Sequence, residues 1–186
     1  MDGHLLIQNA TLILPDRVVE GDLRVSGGSI STIAPGGGLD AGSNEAVIDA
    51  TGLHLLPGAI DPHVHFREPG STEKEDLESG SRAAAAGGVT SFLDMPNNNP
   101  NATNRSTLER KIAIASKKSV THHGFFIGAT NDNIADLQSV EGMDGVCGIK
   151  IFMGSSTGDL LVHEQQKLEN IFANTGGIIA THAEDE

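Results

Sequence analysis

The chain predicts an α/β fold in which a small β domain leads into a series of alternating strands and helices. Three observations carry this expectation. Short apolar runs separated by turn residues fill the N-terminal stretch, residues 4–35. From about residue 53, strand-length apolar runs alternate with helix-like stretches. These later runs are continuous rather than alternating, as expected of parallel strands buried on both faces.

In the β domain, expected over residues 1–54, Leu5-Leu6-Ile7 and Thr11-Leu12-Ile13-Leu14 read as strands around a break at Asn9-Ala10. Pro15-Asp16 marks a turn. Leu23 and Val25, then Ile30 and Ile33, alternate on either side of Gly27-Gly28, a hairpin signal. Residues 36–46 form a loop, and Val47-Ile48-Asp49-Ala50 a last short strand. Gly36-Gly37-Gly38 is not a phosphate loop, since it lies between β elements with no Lys-Ser/Thr after it.

Residues 55–186 form the second expected domain, with apolar runs at 54–62, 89–95, 124–129, 146–153 and 178–182. Helices are expected between them at 73–87, 104–118, 132–139 and 164–174. Ser71-Thr72 and acidic residues open the first, and Gly87-Gly88 ends it. Lys117 and Lys118 close the second, where the helix dipole favours cations. Five such units in series predict a parallel sheet or a (β/α) barrel. A complete barrel has eight units in about 250 residues. Roughly 130 residues follow the small domain, so the sequence is expected to be the N-terminal piece of something longer, stopping after the fifth strand.

Composition narrows the function. Lys+Arg 12 against Asp+Glu 25 gives a net charge of −13, which argues against nucleic acid or an anionic membrane as a partner. Tyrosine and tryptophan are absent, and with them the stacking platforms used on single strands. No apolar run reaches the roughly 18 residues of a membrane span, and the N-terminus lacks a basic-then-apolar leader. The single cysteine, Cys147, excludes an internal disulfide and makes the cytoplasm the default compartment. Its neighbours Val146, Gly148 and Ile149 mark it as a buried packing residue rather than a reactive thiol.

Chemistry-bearing residues gather at the strand ends, where a (β/α) barrel builds its active site. His63 and His65 alternate at the end of the first run, so their side chains share a face. Their Cβ atoms lie roughly 7 Å apart, from two strand rises, and zinc takes imidazole nitrogen at about 2.0–2.1 Å. Two such rings can close on one ion, and a structural pair at a strand end fits the same spacing. Phe66 and Arg67 follow, then Met95-Pro96-Asn97 after the second strand and Thr181-His182-Ala183-Glu184-Asp185 at the fifth. Lys150 lies inside the fourth apolar strand. A buried ammonium must be paired, neutralised or modified; a snorkelling or carboxylate-paired lysine is the plainer alternative.

Several residues carry two readings. Glu184 and Asp185 either orient His182 or are solvated loop charges. Ser155, Ser156 and Thr157 either line the mouth of the site or serve the loop. Glu68 either supports a ligand or caps the following segment. His122 and His123 begin the third strand at the opposite end and read as surface or structural, as do His4, His54 and His163.

Four motifs together, Leu56-Pro-Gly-Ala-Ile-Asp-Pro-His-Val-His-Phe-Arg-Glu-Pro-Gly70, Met95-Pro-Asn97, Lys150-Ile-Phe-Met-Gly-Ser-Ser156 and Thr181-His-Ala-Glu-Asp185, resemble the dihydroorotases of the amidohydrolase superfamily. The resemblance covers essentially the whole chain. It implies the N-terminal part of a (β/α)8 TIM-like metallo-hydrolase barrel, about five of eight units, preceded by a small β-sandwich-type domain. It implies His63 and His65 on the more buried of two zinc ions and His182 on the second. Lys150 would be carboxylated on its ε-nitrogen, and this CO2-derived carbamate would bridge both ions. Arg67 and Asn97 would hold the substrate's carboxylate, whose planar shape a guanidinium fork matches.

The implied reaction is reversible hydrolysis of (S)-dihydroorotate to N-carbamoyl-L-aspartate in pyrimidine biosynthesis. The implied partner is that small-molecule substrate, and a homodimer or a pyrimidine-pathway complex is compatible with it. The family also uses a histidine at the end of strand six and an aspartate, the proton shuttle, at the end of strand eight. Neither position occurs in this sequence, so the polypeptide as given is expected to be inactive and its full-length parent active. Two alternatives stand beside this one. Allantoinase, dihydropyrimidinase and hydantoinase share the two histidines and the lysine without needing Arg67. A non-catalytic dihydroorotase-like scaffold subunit would have no reason to keep the metal ligands.

Overall fold

Residues 3–156 and 158–184 are described by the computed structural model, and they fall into two compact units, Met1–Pro57 and Gly58–Glu186. The first unit holds β1 (Leu5–Ile13), β2 (Val18–Ser26), β3 (Ser29–Pro35), β4 (Ala46–Asp49) and β5 (His54–Leu55). They form a mixed sheet in the order β3-β2-β1-β4, with β5 also on β1. The β1–β2 and β2–β3 pairs are antiparallel, while β4 and β5 run parallel to β1.

The β2–β3 hairpin forms where Gly27 and Gly28 both take positive φ (58° and 77°), the twist of a primed turn. The Asn9-Ala10 break is a bulge within one strand rather than a gap between two. The β1–β2 register shifts between Ile7 and Ala10, with Asn9 at φ 59°. Buried Asp22 holds it, accepting from Asn9 N at 2.9 Å and from Leu39 N at 3.0 Å. Those backbone donors, Asn9 first, keep its carboxyl below the usual carboxylate range. Ala10, Leu12, Leu23 and Ala50 are the core of this unit.

The second unit runs β6 (Ala59–Val64), α1 (Leu77–Ala86), β7 (Val89–Asp94), α2 (Arg105–Lys118), β8 (His122–Gly128), α3 (Ile134–Ser139), β9 (Val146–Phe152), a 3-10 turn at Gly158–Leu160, α4 (Gln165–Asn174) and β10 (Ile179–His182). Every strand pairs in parallel with its neighbour in the chain, in the order β10-β9-β8-β7-β6. The sheet curls into a half-barrel, and the carboxyl ends of all five strands lie along one edge. The first expected apolar run is divided: His54-Leu55 pairs with Thr11-Leu12 as β5, and the barrel strand begins only at Ala59. Pro57, with no N–H to donate, ends the ladder between them.

One core fills the space between sheet and helices. Phe92, Phe125, Ile127, Ile149 and Ile151 of the strands pack on Leu77, Leu108, Leu137, Leu168 and Ile171 of the helices. Phe66 meets Phe92 edge-on, with ring centroids 4.7 Å apart. A β-carbon at position 80 would lie 2.6 Å from the Phe66 ring, so α1 carries glycine there. Helix α1 starts at Leu77 rather than at 73, because its free N–H groups find acceptors there. Asp76 accepts from Glu78 N and Ser79 N, and Glu68 accepts from Leu77 N at 3.0 Å. Asn104 and Thr107 form a capping box at the start of α2. Among the described residues no helix is long and apolar enough to cross a membrane.

Phe92 is fully buried at the centre of this aromatic group. Phe92→Ala is expected to cost about 3–5 kcal/mol, read as a lower urea midpoint; an unchanged midpoint would remove the ring from the core.

Candidate active site

β6 delivers His63, and the loop leaving it carries His65 and Arg67. Asp61 Oδ1 accepts from His63 N at 3.1 Å, fixing the backbone before the pair. The two Nε2 atoms face each other at 3.1 Å, with ring centroids 5.1 Å apart. His65 Nδ1 donates to Asn97 Oδ1 at 2.7 Å. An amide oxygen only accepts, so Nδ1 carries the proton and Nε2 keeps its lone pair. Two imidazoles on one tetrahedral zinc would place their nitrogens roughly 3.3 Å apart, from bonds of 2.0–2.1 Å. The pair already stands close to that spacing.

The surroundings disfavour the charged form of both rings. Burial is the first cause that holds both below the ordinary histidine range. At His63 the charges of Lys150 and His182 add to it, and at His65 those of His63, Arg67 and Lys150. Asp61 opposes the effect at His63, and the Asn97 hydrogen bond opposes it at His65. These couplings show that residues from β6, its following loop, β9 and β10 act on one small region.

Lys150 is 1% exposed on β9, in register with Gly128 of β8 and Ala180 of β10. Its Nζ lies 4.9 Å from the centroid of the Phe152 ring. Among the described residues this Nζ has no hydrogen bond and no ion pair, and burial lowers its pKa. Neither a carboxylate partner nor a snorkelling head is therefore found for it there.

His182 is the last residue of β10, opposite Phe152, and its ring stacks on the Phe152 ring at 6.3 Å. Its Nε2 is buried without a hydrogen bond and stands 3.3 Å from Glu184 Oε1. Glu184 also accepts from Ser155 Oγ, tying the loop after β9 to the end of β10. Thr157 and Asp185 lie outside the described residues.

Arg67 is half-buried, and its backbone N–H donates to Glu75 O at 3.1 Å. Among the described residues its guanidinium has no hydrogen bond or ion pair. Asn97 spends its oxygen on His65, a role the sequence did not reveal, and keeps Nδ2 as a donor. Glu68 caps: besides Leu77 N it meets Lys118 at the end of α2. His123 packs its ring near Phe92 and Phe125 at the start of β8. Cys147 is half-buried, with burial pushing its thiol up to about 12, a packing residue without nucleophilic character.

The sequence reading missed a buried polar network beneath these residues. Lys111 and Asp94 are both fully buried and pair at 2.9 Å. Lys111 Nζ also donates to Met95 O and Asn98 Oδ1, each at 2.6 Å. Asp94 Oδ1 accepts from Phe66 N at 2.9 Å. Burial pushes the Asp94 carboxyl up to about 6, against the pull of Lys111, and pushes the Lys111 ammonium down. A signal did exist: Lys111 falls with Leu108 and Ala115 on the buried stripe of α2, where a cation needs a partner.

Among the described residues no three His, Cys, Asp or Glu side chains converge as a metal site. The candidate set is a facing pair of imidazoles on β6 and the loop after it, with the buried Lys150 amine on β9 and the His182 imidazole on β10 near enough for their charges to act on that pair. It fits zinc if the amine becomes an oxygen donor, since zinc accepts nitrogen and carboxylate-type oxygen together.

Residues 54–168 match the model of the Amidohydrolase family. The chain belongs to that family. It is 37% identical over 182 residues to a dihydroorotase of Methanosarcina acetivorans, covering 97% of this chain and 38% of the relative. It is 36% identical over 192 residues to an allantoinase of Deinococcus radiodurans, covering 99% and 41%. The solved L-hydantoinase of Arthrobacter aurescens superposes with a TM-score of 0.88 at 26% identity, covering 100% and 42%. The chain thus spans about two-fifths of the length of these relatives.

Removing one member of the buried pair strands the other. Lys111→Met is expected to lower stability by about 3–5 kcal/mol, and Lys111→Met with Asp94→Asn to recover much of it, both by equilibrium unfolding. Equal losses in the two variants would contradict the pairing.

Proposed function

We propose that the protein is a zinc-dependent cyclic amidohydrolase acting on dihydroorotate, in which His63, His65, Lys150 and His182 are metal ligands and Arg67 and Asn97 receive the substrate's carboxylate. One observation carries the reading: the buried, unpaired Lys150 amine is coupled to two imidazoles whose Nε2 atoms already face each other. A lowered pKa leaves more of that amine neutral, the form that attacks CO2. The new N–C bond and the released proton leave a carbamate anion, turning a buried cation into the oxygen donor that the cluster lacks. When bound, zinc would lower the pKa of a water and polarise the amide carbonyl.

The chain's own residues supply binding and orientation. Asn97 fixes the ring and tautomer of His65 through Nδ1. The unengaged Arg67 fork offers two parallel donors to a carboxylate. With a net charge of −13, the chain needs such a local cation to attract an anionic substrate. This reading takes a small molecule as the partner and the cytoplasm as the location.

A second reading stays in the same class: the similarity to an allantoinase and the fit to the L-hydantoinase structure favour a carboxylate-free cyclic amide. Arg67 separates the two. In the full-length protein, Arg67→Met is expected to lower kcat/KM for dihydroorotate about 10–100-fold, the worth of a charge-assisted contact. Retained dihydroorotate activity would reverse the assignment of Arg67, and wild-type preference for allantoin or a hydantoin would select the second reading. Lys150→Arg, which cannot carry the carbamate, is expected to lose zinc by elemental analysis. Wild-type protein without zinc would favour the scaffold alternative.

A further inference from the structure

Arg67 and Asn97 stand on different strand-end loops, yet the backbone supports of both converge on one side chain. Phe66 N is held by Asp94 Oδ1 at 2.9 Å, and Asn98 Nδ2 donates to Phe66 O at 3.0 Å and to Glu68 O at 3.1 Å. The residues on both sides of Arg67 are thereby pinned, and its own N–H is fixed on Glu75 O. On the other loop, Lys111 Nζ holds Met95 O and Asn98 Oδ1, which bracket Asn97. The same ammonium pairs with Asp94 and sits 5.0 Å from the centroid of the Phe125 ring. Lys111, Asp94 and Asn98 touch neither His63 nor His65 through any of these bonds.

We infer that Asp94, Lys111 and Asn98 form a positioning clamp that sets Arg67 and Asn97 in register for the substrate's carboxylate. The inference rests on reading Arg67 as that carboxylate's anchor. Asn98 is the uncharged member, so altering it leaves the Asp94–Lys111 ion pair itself in place. Asn98→Asp keeps the shape and the acceptor for Lys111 but loses both donated bonds to the Arg67 loop, and Asn98→Ala loses all three. A positioning role differs from general support of the fold: binding of the carboxylate should weaken while the metal cluster and the chemical step are left in place.

The test is a double-mutant cycle in the full-length protein on dihydroorotate, with zinc content and melting temperature measured in parallel. Asn98→Asp and Asn98→Ala are expected to raise KM roughly tenfold or more, with kcat changed by less than about twofold and zinc content kept. In an Arg67→Met background Asn98→Asp is expected to raise KM little further, because the two bonds it loses run to the Arg67 loop, while Asn98→Ala keeps only the part of its effect that passes through Asn97. Equal KM increases with and without Arg67, or a fall in kcat that follows zinc loss, would overturn the clamp while leaving the substrate reading intact. Should Asn98→Ala fail to fold, Asn98→Asp decides through the cycle, since its added charge acting directly on an anionic substrate would raise KM equally with and without Arg67. A wild-type protein with no activity on dihydroorotate would overturn the substrate reading and the clamp with it.

Discussion

The half-barrel depends on a single ion pair that neither water nor surface can reach. Asp94 ends the second barrel strand and Lys111 lies on the inner stripe of α2, both with no exposed side-chain area. Burying two charges costs more than their attraction returns unless the remaining donors and acceptors are also satisfied. Here most are: a backbone N–H, a backbone carbonyl and an amide oxygen complete the shell, and Asp94 Oδ2 has the Lys111 ammonium at 2.9 Å as its one partner, without a hydrogen bond. An apolar pair of equal volume could fill the same space, but it would hold no loop. What the ions supply is a set of fixed bond directions that join the end of one strand, the exit loop of its neighbour and a helix.

The cluster above this pair follows the opposite rule. Its groups are left unsatisfied by the described residues: Lys150 without a counter-ion, His182 Nε2 without a hydrogen bond, and Arg67 without an acceptor. Below, each charged group meets an opposite charge of the framework; at the strand ends the Lys150 and Arg67 side chains meet none among the described residues. Open, preset donors are where a ligand's own atoms can replace water at small reorganisation cost. That contrast separates framework from site without reference to any relative.

Most of the architecture was legible. Continuous apolar runs such as Phe125–Gly128 and Ile149–Phe152 gave parallel strands, and Gly27-Gly28 and Asn104 marked a turn and a helix start because local chemistry decides them. Errors fell where distant residues decide. The start of α1 depends on Glu68, which lies outside the helix, and the first barrel run is split by β5 pairing with Thr11-Leu12. The six candidate residues were proposed from their motifs, whereas the Asn97–His65 bond and the Lys111 network could not be foreseen. Both join positions far apart in sequence, and no local pattern fixes which of several polar residues will meet.

The topology has a consequence for the order in which the site is made. Each new strand joins the one before it, so the sheet grows outward from β6 without waiting for later segments. Residues 61–118 contain the whole apparatus that orients His65, Arg67 and Asn97. A ribosome would therefore have made every residue of the Asp94–Lys111–Asn98 network, and the two loops it joins, while Lys150 and His182 were still unmade.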